Sequence, residues 1–454
     1  MSNSHPTPSA LVQRSVYSRG EHNISRQDIS KNALKVLYDL NKAGFQSYLV
    51  GGGVRDLLLG LHPKDFDVTT DAEPEQVRKI FGNSRIIGRR FRIVHVHFGR
   101  EIIEVSTFRA LSTQSTEIKG STLSRQTRQL ESAHSHTGMI LRDNVFGTIE
   151  EDAIRRDFTA NALYYTVQNF ELLDFMNGMQ DLKNRTLRII GDPELRYRED
   201  PVRILRAIRL ASKLDFSIEK KTAQAIAPTV SLLNSVPAAR LFDEFLKLFF
   251  SGFGLVTFQR LLSYEVFQHL FPPVTDFLND SQDKLMLEAA FESTDRRINE
   301  DKSVTPAFLL AAILWPAVRR LFDNYLATQV PPLPAMHRAA EDIIKQQLQV
   351  ISIPKRFSIV MREIWEYQIR LERRSGKRAA ALLTHKRFRA AYDFLLLRES
   401  SGEHLQGLGT WWTEFQSADE SRQKSMQAQV QQNPISKSRR RRVKSKRESK
   451  RITQ

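Results

Sequence analysis

The chain has no cysteine among its 454 residues. That excludes disulfides, thiolate metal sites and a cysteine nucleophile, and it suits a reducing cytoplasm. No stretch approaches the apolar length of a membrane span. The opening Met-Ser-Asn-Ser-His-Pro-Thr-Pro-Ser lacks the apolar core of a signal peptide. Acidic residues are in deficit, and the net charge of +17 favours a polyanionic partner. The hydrophobic fraction of 41% and charged fraction of 26% are ordinary for a globular protein, and the length allows two to four domains.

The most informative stretch is Leu-Val-Gly-Gly-Gly-Val-Arg-Asp-Leu-Leu-Leu-Gly-Leu-His-Pro-Lys-Asp-Phe-Asp-Val, residues 49–68. It is not a P-loop, since no Gly-Lys-Ser/Thr follows at the required spacing. Gly51 and Gly52 let the backbone approach a phosphate closely, and Arg55 stands at the start of a short helix, placed to pair with it. Asp-Phe-Asp-Val-Thr reads as a strand, which turns Asp65 and Asp67 to the same face. Two converging carboxylates repel and raise each other's pKa unless a cation lies between them. With Mg²⁺ they form a hard-oxygen site that leaves room for substrate phosphates. Carboxylates for metal beside donors for phosphate suit phosphoryl or nucleotidyl transfer.

Further candidates lie downstream. Glu104, on a later strand, is either a third carboxylate or a partner for Arg109. Asp157, with Arg156 and Asn161 beside it, supplies a carboxylate, a phosphate-binding charge and an amide able to bond a ribose hydroxyl or a base; a helix-terminal salt-bridge cluster is the bland alternative. In Glu-Asp-Pro-Val-Arg-Ile-Leu-Arg, Asp200 is expected to cap a helix with Pro201 at its first position. Arg203 shares a face with Asp200, and Arg206 and Arg209 extend a basic stripe through apolar flanks. Such a stripe either binds a nucleotide or is held in an internal ion-pair network.

The pattern predicts an α+β chain. Residues 1–27 read as disordered. Ser30 caps a helix ended by Gly44. Short strands follow at 47–50, 66–69, 85–88, 93–98 and 102–108, with a helix over 74–81. Residues 110–137 read as a flexible Ser/Thr-rich insertion. A helix opens near Glu150 and is expected to run into Asp157 and Phe158, before strands at 162–167 and 170–174. From about residue 193 the pattern is helical, with the proline-rich break at 330–334 read as separating helical modules. Residues 437–451 hold ten Lys and Arg, among them Arg439, Arg440, Arg441, Arg442 and Lys444, against Glu448. That run reads as a disordered, RNA-attracting tail.

The Gly-Gly-Gly-Val-Arg-Asp turn, Asp65-x-Asp67, Arg156-Asp-Phe-Thr-Ala-Asn and Glu199-Asp-Pro-Val-Arg, in this order, resemble the class II nucleotidyltransferase family. Its branches are CCA-adding tRNA nucleotidyltransferases and bacterial poly(A) polymerases. The segments 86–96, 239–249 and 388–398 are similar to those of the polymerase branch. The long 110–137 insertion departs from the family pattern, and Gly53 sits where the family varies. The resemblance implies a nucleotidyltransferase head over residues 28–192 with a small mixed sheet, a helical neck over 193–273, a helical RNA-binding body and tail over 274–417, and a basic segment over 418–454. It implies that Asp65 and Asp67 bind Mg²⁺, with Mn²⁺ an alternative, and that Asp157 joins them in the active site. Gly52 and Arg55 would contact the triphosphate, and Arg156 and Asn161 the triphosphate or ribose. Asp200 and Arg203 would read the base beside Arg206, and Arg240 and Glu244 would brace that helix. The implied reaction is template-independent transfer of AMP from ATP to RNA 3′ ends, releasing pyrophosphate, in RNA processing and decay. CCA addition to tRNA is the alternative, and a non-catalytic RNA-binding role a further one. RNA-decay proteins are candidate partners, and peripheral membrane association through the basic tail stays open.

Overall fold

Ser30 caps helix α1 (Lys31–Lys42) through its hydroxyl, which accepts from the N–H groups of Asn32 and Ala33. The buried stripe Ala33, Val36, Leu37 and Leu40 fixes which side faces inward. This computed structural model describes residues 14–88, 92–110, 132–134, 140–143, 145–375 and 377–432. The chain divides into two compact units, Met1–Val236 and Pro237–Gln454.

The first unit holds β1 (Ser15–Tyr17), β2 (Ser47–Val50), α2 (Gly52–Leu58), β3 (Asp67–Thr70), α3 (Pro74–Ile80), β4 (Ser84–Ile87), β5 (Ile93–Phe98) and β6 (Glu101–Thr107). A two-stranded hairpin, β7 (Ser132–His134) with β8 (Ile140–Asp143), stands apart from the main sheet. Then come α4 (Ile149–Arg155), β9 (Leu163–Tyr165), β10 (Leu172–Asp174), α5 (Gly178–Lys183), β11 (Thr186–Leu187), α6 (Pro193–Glu199) and α7 (Val202–Leu214). Eight strands form one mixed sheet in the order β1-β10-β9-β2-β3-β6-β5-β4. The β3–β6 pair is parallel and its register sets Asp67 beside Glu104. The other pairs are antiparallel.

Alternation decides the faces. Val68, Val94, Val96, Ile103 and Val105 are buried, on the side where α1 and α3 pack. Asp67, Glu104 and His95 take the opposite side. Over β2, β9 and β10 a second core joins Val50, Tyr164, Leu173 and Phe175 to Ile149 and Ala153 of α4.

Several expectations are corrected. Residues 14–27 are not structureless: Ser15–Tyr17 pairs with β10 as an edge strand. Part of the expected insertion, Ser132–His134, is a strand; its residues 111–131 and 135–137 lie outside the described residues. The helix opening near Glu150 stops at Arg155, and Arg156 is extended at φ −61°, ψ 167°. Asp200 does not cap α7; Pro201 occupies the cap position without a side-chain bond, and Asp200 closes the preceding helix instead.

The second unit is helical throughout its described residues. Phe249, Phe258 and Phe291 stack at centroid separations of 4.7 Å. Trp315, Trp365 and Trp412 are fully buried, with Trp365 donating to Ala311 O at 3.1 Å and Trp412 to Leu371 O at 3.0 Å. These indoles are core, where each stabilises by roughly 3 kcal/mol or more. The proline-rich break separates no modules: Pro331 and Pro332 start the helix Pro332–Gln347, which packs directly on Pro306–Ala327. Within the expected basic segment 418–454, residues Glu420–Gln432 form a helix. The arginine-rich run from 437 lies outside the described residues.

Candidate active site

The site is built around Asp67, the first residue of β3. Asp65 lies just before the strand rather than in it, yet both carboxylates line one cavity of about 620 Å³. Phe66 between them is buried and anchors the turn. Burial first, then the neighbouring Glu104 and more weakly Asp65, push the Asp67 carboxyl up to about 6, against the opposing pull of Arg156. The crowding expected from the Asp-x-Asp spacing is therefore present, and it includes the third carboxylate.

On one side of Asp67 stands the glycine turn. Gly51 has φ +77°, and a Cβ there would lie 3.5 Å from Asp67 Oδ2 and 3.8 Å from Arg156 Nη1. The positive φ is what requires glycine here; a Cβ would sit in ordinary contact with both groups. The backbone thus passes between a carboxylate and a guanidinium, a cradle suited to a phosphate next to a cation. Arg156 is held by Asp152 Oδ2, 3.1 Å from Nε and 2.9 Å from Nη2, and by the Tyr164 hydroxyl at 2.9 Å. Burial works against its charge, but Tyr164 and Asp152 more than offset this and raise its pKa further.

A buried chain of polar groups lies behind the turn. Arg55 is 4% exposed, and its guanidinium rests against Gly52, where a Cβ would stand 3.4 Å from Nη2. It donates from Nε to Asp56 Oδ1 at 2.8 Å and from Nη1 to Asn161 Oδ1 at 2.7 Å. Asn161 Nδ2 donates to Asp157 Oδ1 at 3.1 Å. Asp157 Oδ2 accepts from Arg206 Nε at 2.8 Å, and Lys213 Nζ reaches Asp56 Oδ2 at 3.2 Å. Burial disfavours the Asp157 charge, but Arg206, Asn161 and the Phe158 N–H hold its carboxyl well below the usual range. Arg206 and Lys213 are two turns apart on α7. The helix is therefore pinned to the sheet-bearing part of the first unit at both points.

Arg203 Nη1 bonds Glu199 Oε2 at 2.9 Å and Arg196 O at 2.8 Å. Arg196 in turn donates to Arg155 O and Arg156 O, at 2.5 and 2.6 Å. Burial, reinforced by the charge of Arg203, lowers the Arg196 pKa to about 10. The internal ion-pair network left open from the sequence is thus realised for Arg203 and Arg206, next to the half-buried Asp200. Arg240 and Glu244 lie in the second unit on the helix Ala238–Phe249, where Glu244 is buried and pairs with Lys247 at 2.9 Å. Asp56, Asp152, Tyr164, Arg196 and Lys213 were missed by sequence reasoning. Asp56, inside the Gly-Val-Arg-Asp turn, and Asp152 and Tyr164, four and eight residues from Arg156, lie close to motif residues; Arg196 and Lys213 act across long separations.

The donor set fits a hard divalent ion. Asp65, Asp67 and Glu104 offer oxygen, and Asp67 gains most from a cation that relieves its crowded charge. Among the described residues no three acidic or imidazole side chains converge closely enough to hold a metal alone. An ion here therefore needs further oxygens, as phosphates would provide.

Three family profiles match the chain: the Poly A polymerase head domain at 47–188, the Probable RNA and SrmB- binding site of polymerase A at 215–278, and the Polymerase A arginine-rich C-terminus at 328–447. The Poly(A) polymerase I of Salmonella typhi is 48% identical over 437 residues, 95% of this chain and 92% of that protein. The Poly(A) polymerase I of Escherichia coli O157:H7 is 49% identical over 440 residues, with the same coverage. The CCA-adding enzyme of Lactobacillus helveticus is 37% identical over 53% of this chain and 55% of that protein. Among solved structures, the Thermotoga maritima CCA-adding enzyme complexed with tRNA shares the fold, with a TM-score of 0.54 at 19% identity over 90% of this chain and 84% of that one. Identity of nearly half over almost the whole length, with the head profile covering the Asp67 site, leaves one conclusion: the chain belongs to the poly(A) polymerase I family.

Proposed function

We infer that the chain is a template-independent polynucleotide adenylyltransferase, moving AMP from ATP to the 3′ hydroxyl of RNA. The observation that carries this is the pairing of Asp67 with the Gly51–Arg156 cradle on one side and Glu104 on the other, in a chain that matches poly(A) polymerases along its length. Mg²⁺ held by Asp65 and Asp67, when bound, lowers the pKa of the attacking hydroxyl and steadies the leaving phosphates.

The chain's own residues do the rest. Gly51 lets the backbone meet the triphosphate, and the immobilised Arg156 offsets charge that grows on it. Arg55 holds the turn from behind through Asp56 and Asn161. The 3′ oxygen forms a bond to the α-phosphorus as the bond to the bridging oxygen breaks, and pyrophosphate leaves with that electron pair. Asp200 and Arg203 offer an acceptor and donors for the adenine edge, and Arg206 fixes the helix that carries Arg203 through Asp157. The helical second unit and the arginine-rich tail attract RNA phosphates, with steep salt dependence. Such a reaction belongs in the cytoplasm and in contact with RNA-decay proteins. Among the described residues no helix is long and apolar enough to cross a membrane.

Incubation of the protein with an RNA primer and each nucleotide alone tests the reading. Long extension with ATP, and little with CTP, GTP or UTP, is expected. Addition of CTP followed by arrest after a few nucleotides would show CCA addition instead.

A further inference from the structure

The sheet register carries the Asp67 row away from the glycine turn. Asp67 lies beside Glu104, Glu104 beside His95, and His95 beside Arg85. Directly paired residues share a face, so these four cross β3, β6, β5 and β4 on one side of the sheet. His95 Nε2 approaches Glu104 Oε1 at 3.2 Å. The cavity opens along this face and, beyond the carboxylates, is lined by Lys64, His95, Arg100 and Ile102. Lys64, Arg100 and Ile102 are exposed, and His95 is half-buried. Glu101, also at the wall, is engaged by the Ser30 and Asn32 side chains.

Along β6 this face runs from Glu104 through Ile102 towards Arg100, with His95 beside Glu104 and Lys64 next to Asp65. An in-line displacement sets the attacking and leaving oxygens on opposite sides of phosphorus. The leaving phosphates belong on the side of Gly51 and Arg156, where the backbone passes between the guanidinium and Asp67. The attacking hydroxyl therefore comes from the cavity side. We propose that this cavity is the subsite for the 3′-terminal nucleotide of the acceptor RNA, with Arg100 and Lys64 meeting its last phosphodiester and Ile102 and His95 receiving the ribose and base. The assignment rests on the adenylyl-transfer reading above. It names a binding face in the first unit, separate from the basic tail. Its recognition is of charge and shape, which every base satisfies.

The test is steady-state extension of a short oligo(A) primer by the full chain, with Arg100→Ala, Lys64→Ala and Arg100→Lys. The alanine variants are expected to raise the primer KM about tenfold while leaving the ATP KM within about twofold, and Arg100→Lys to recover most of the loss. A primer with a neutral methylphosphonate at its last linkage supplies a second axis. It raises the primer KM of the parent protein and adds nothing further to Arg100→Ala, because the contact is already gone. A merely structural role would move the ATP KM as well and ignore the linkage charge. An unchanged primer KM in both alanine variants, or equal losses on charged and neutral primers, overturns the subsite while the reaction stands. Failure of the parent protein to transfer AMP to any RNA overturns the reaction and the subsite together.

Discussion

At the scale of single residues, the site separates groups kept for chemistry from groups that hold them. Asp67 is unfavourably placed in the metal-free protein, with its carboxyl pushed up to about 6 from an ordinary 3.8. A raised acid contributes stability that is complete below the unfolded pKa and is lost as pH rises through the folded one. Between pH 4 and 6 the metal-free protein should therefore lose on the order of 2 kcal/mol relative to Asp67→Asn. Thermal unfolding of both proteins in chelator, at pH 4.5 and 7, measures this; an identical pH response in the two would contradict it. Asp56 is of the other kind. It neutralises the nearly inaccessible Arg55 and also accepts from Lys213. Asp56→Ala leaves a buried guanidinium without its counter-charge and should cost about 3 kcal/mol in chemical denaturation, with Asp56→Asn milder.

At the scale of elements, α7 owes its place to two ionic pins, Arg206 to Asp157 and Lys213 to Asp56. Arg206→Ala removes the larger part of what holds the Asp157 carboxyl low. It should destabilise the protein by roughly 3 kcal/mol and raise the ATP KM severalfold, read by denaturation and by initial rates. How far such elements show in the sequence depends on whether their cause is local. The Ser30 cap, the stripe of α1 and the alternating β5 and β6 were legible, because side chains a few residues apart set them. Strand β1 was not: three residues in a polar, serine-rich stretch become a strand only because β10 offers an edge. The end of α4 was missed for a similar reason. Arg156 leaves the helix so that its guanidinium can meet Tyr164, eight residues on, while Arg196, forty residues on, binds its carbonyl. The candidate site was legible where motif residues themselves meet, as Gly51, Asp67 and Arg156 do, and as Arg55, Asn161, Asp157 and Arg206 do in a separate chain of bonds. Of its supports, Lys213 was hidden by sequence distance; Asp152 and Tyr164 lie within eight residues of Arg156, but their role shows only once Arg156 leaves the helix.

At the scale of the whole molecule, the chain carries +17, and ten Lys and Arg against one Glu in residues 437–451 supply more than half of it. Affinity for RNA should fall steeply with salt. Removal of residues 433–454 should weaken RNA binding and flatten the log–log salt dependence by several units, with the ATP KM unchanged; an unaltered slope would show that the tail takes no part in RNA attraction. In the proposed reading the labour is divided in the same way: Asp65 and Asp67 would hold the metal that meets the phosphates, and Asp200 and Arg203 would present groups to the base. The most direct measurement is single-turnover transfer of AMP to RNA by Asp67→Asn, with ATP and RNA binding followed in the same samples. The account predicts that transfer falls by about a thousandfold or more while both substrates bind within a few-fold of the parent protein. Transfer within about tenfold of the parent rate would contradict the central role given to Asp67.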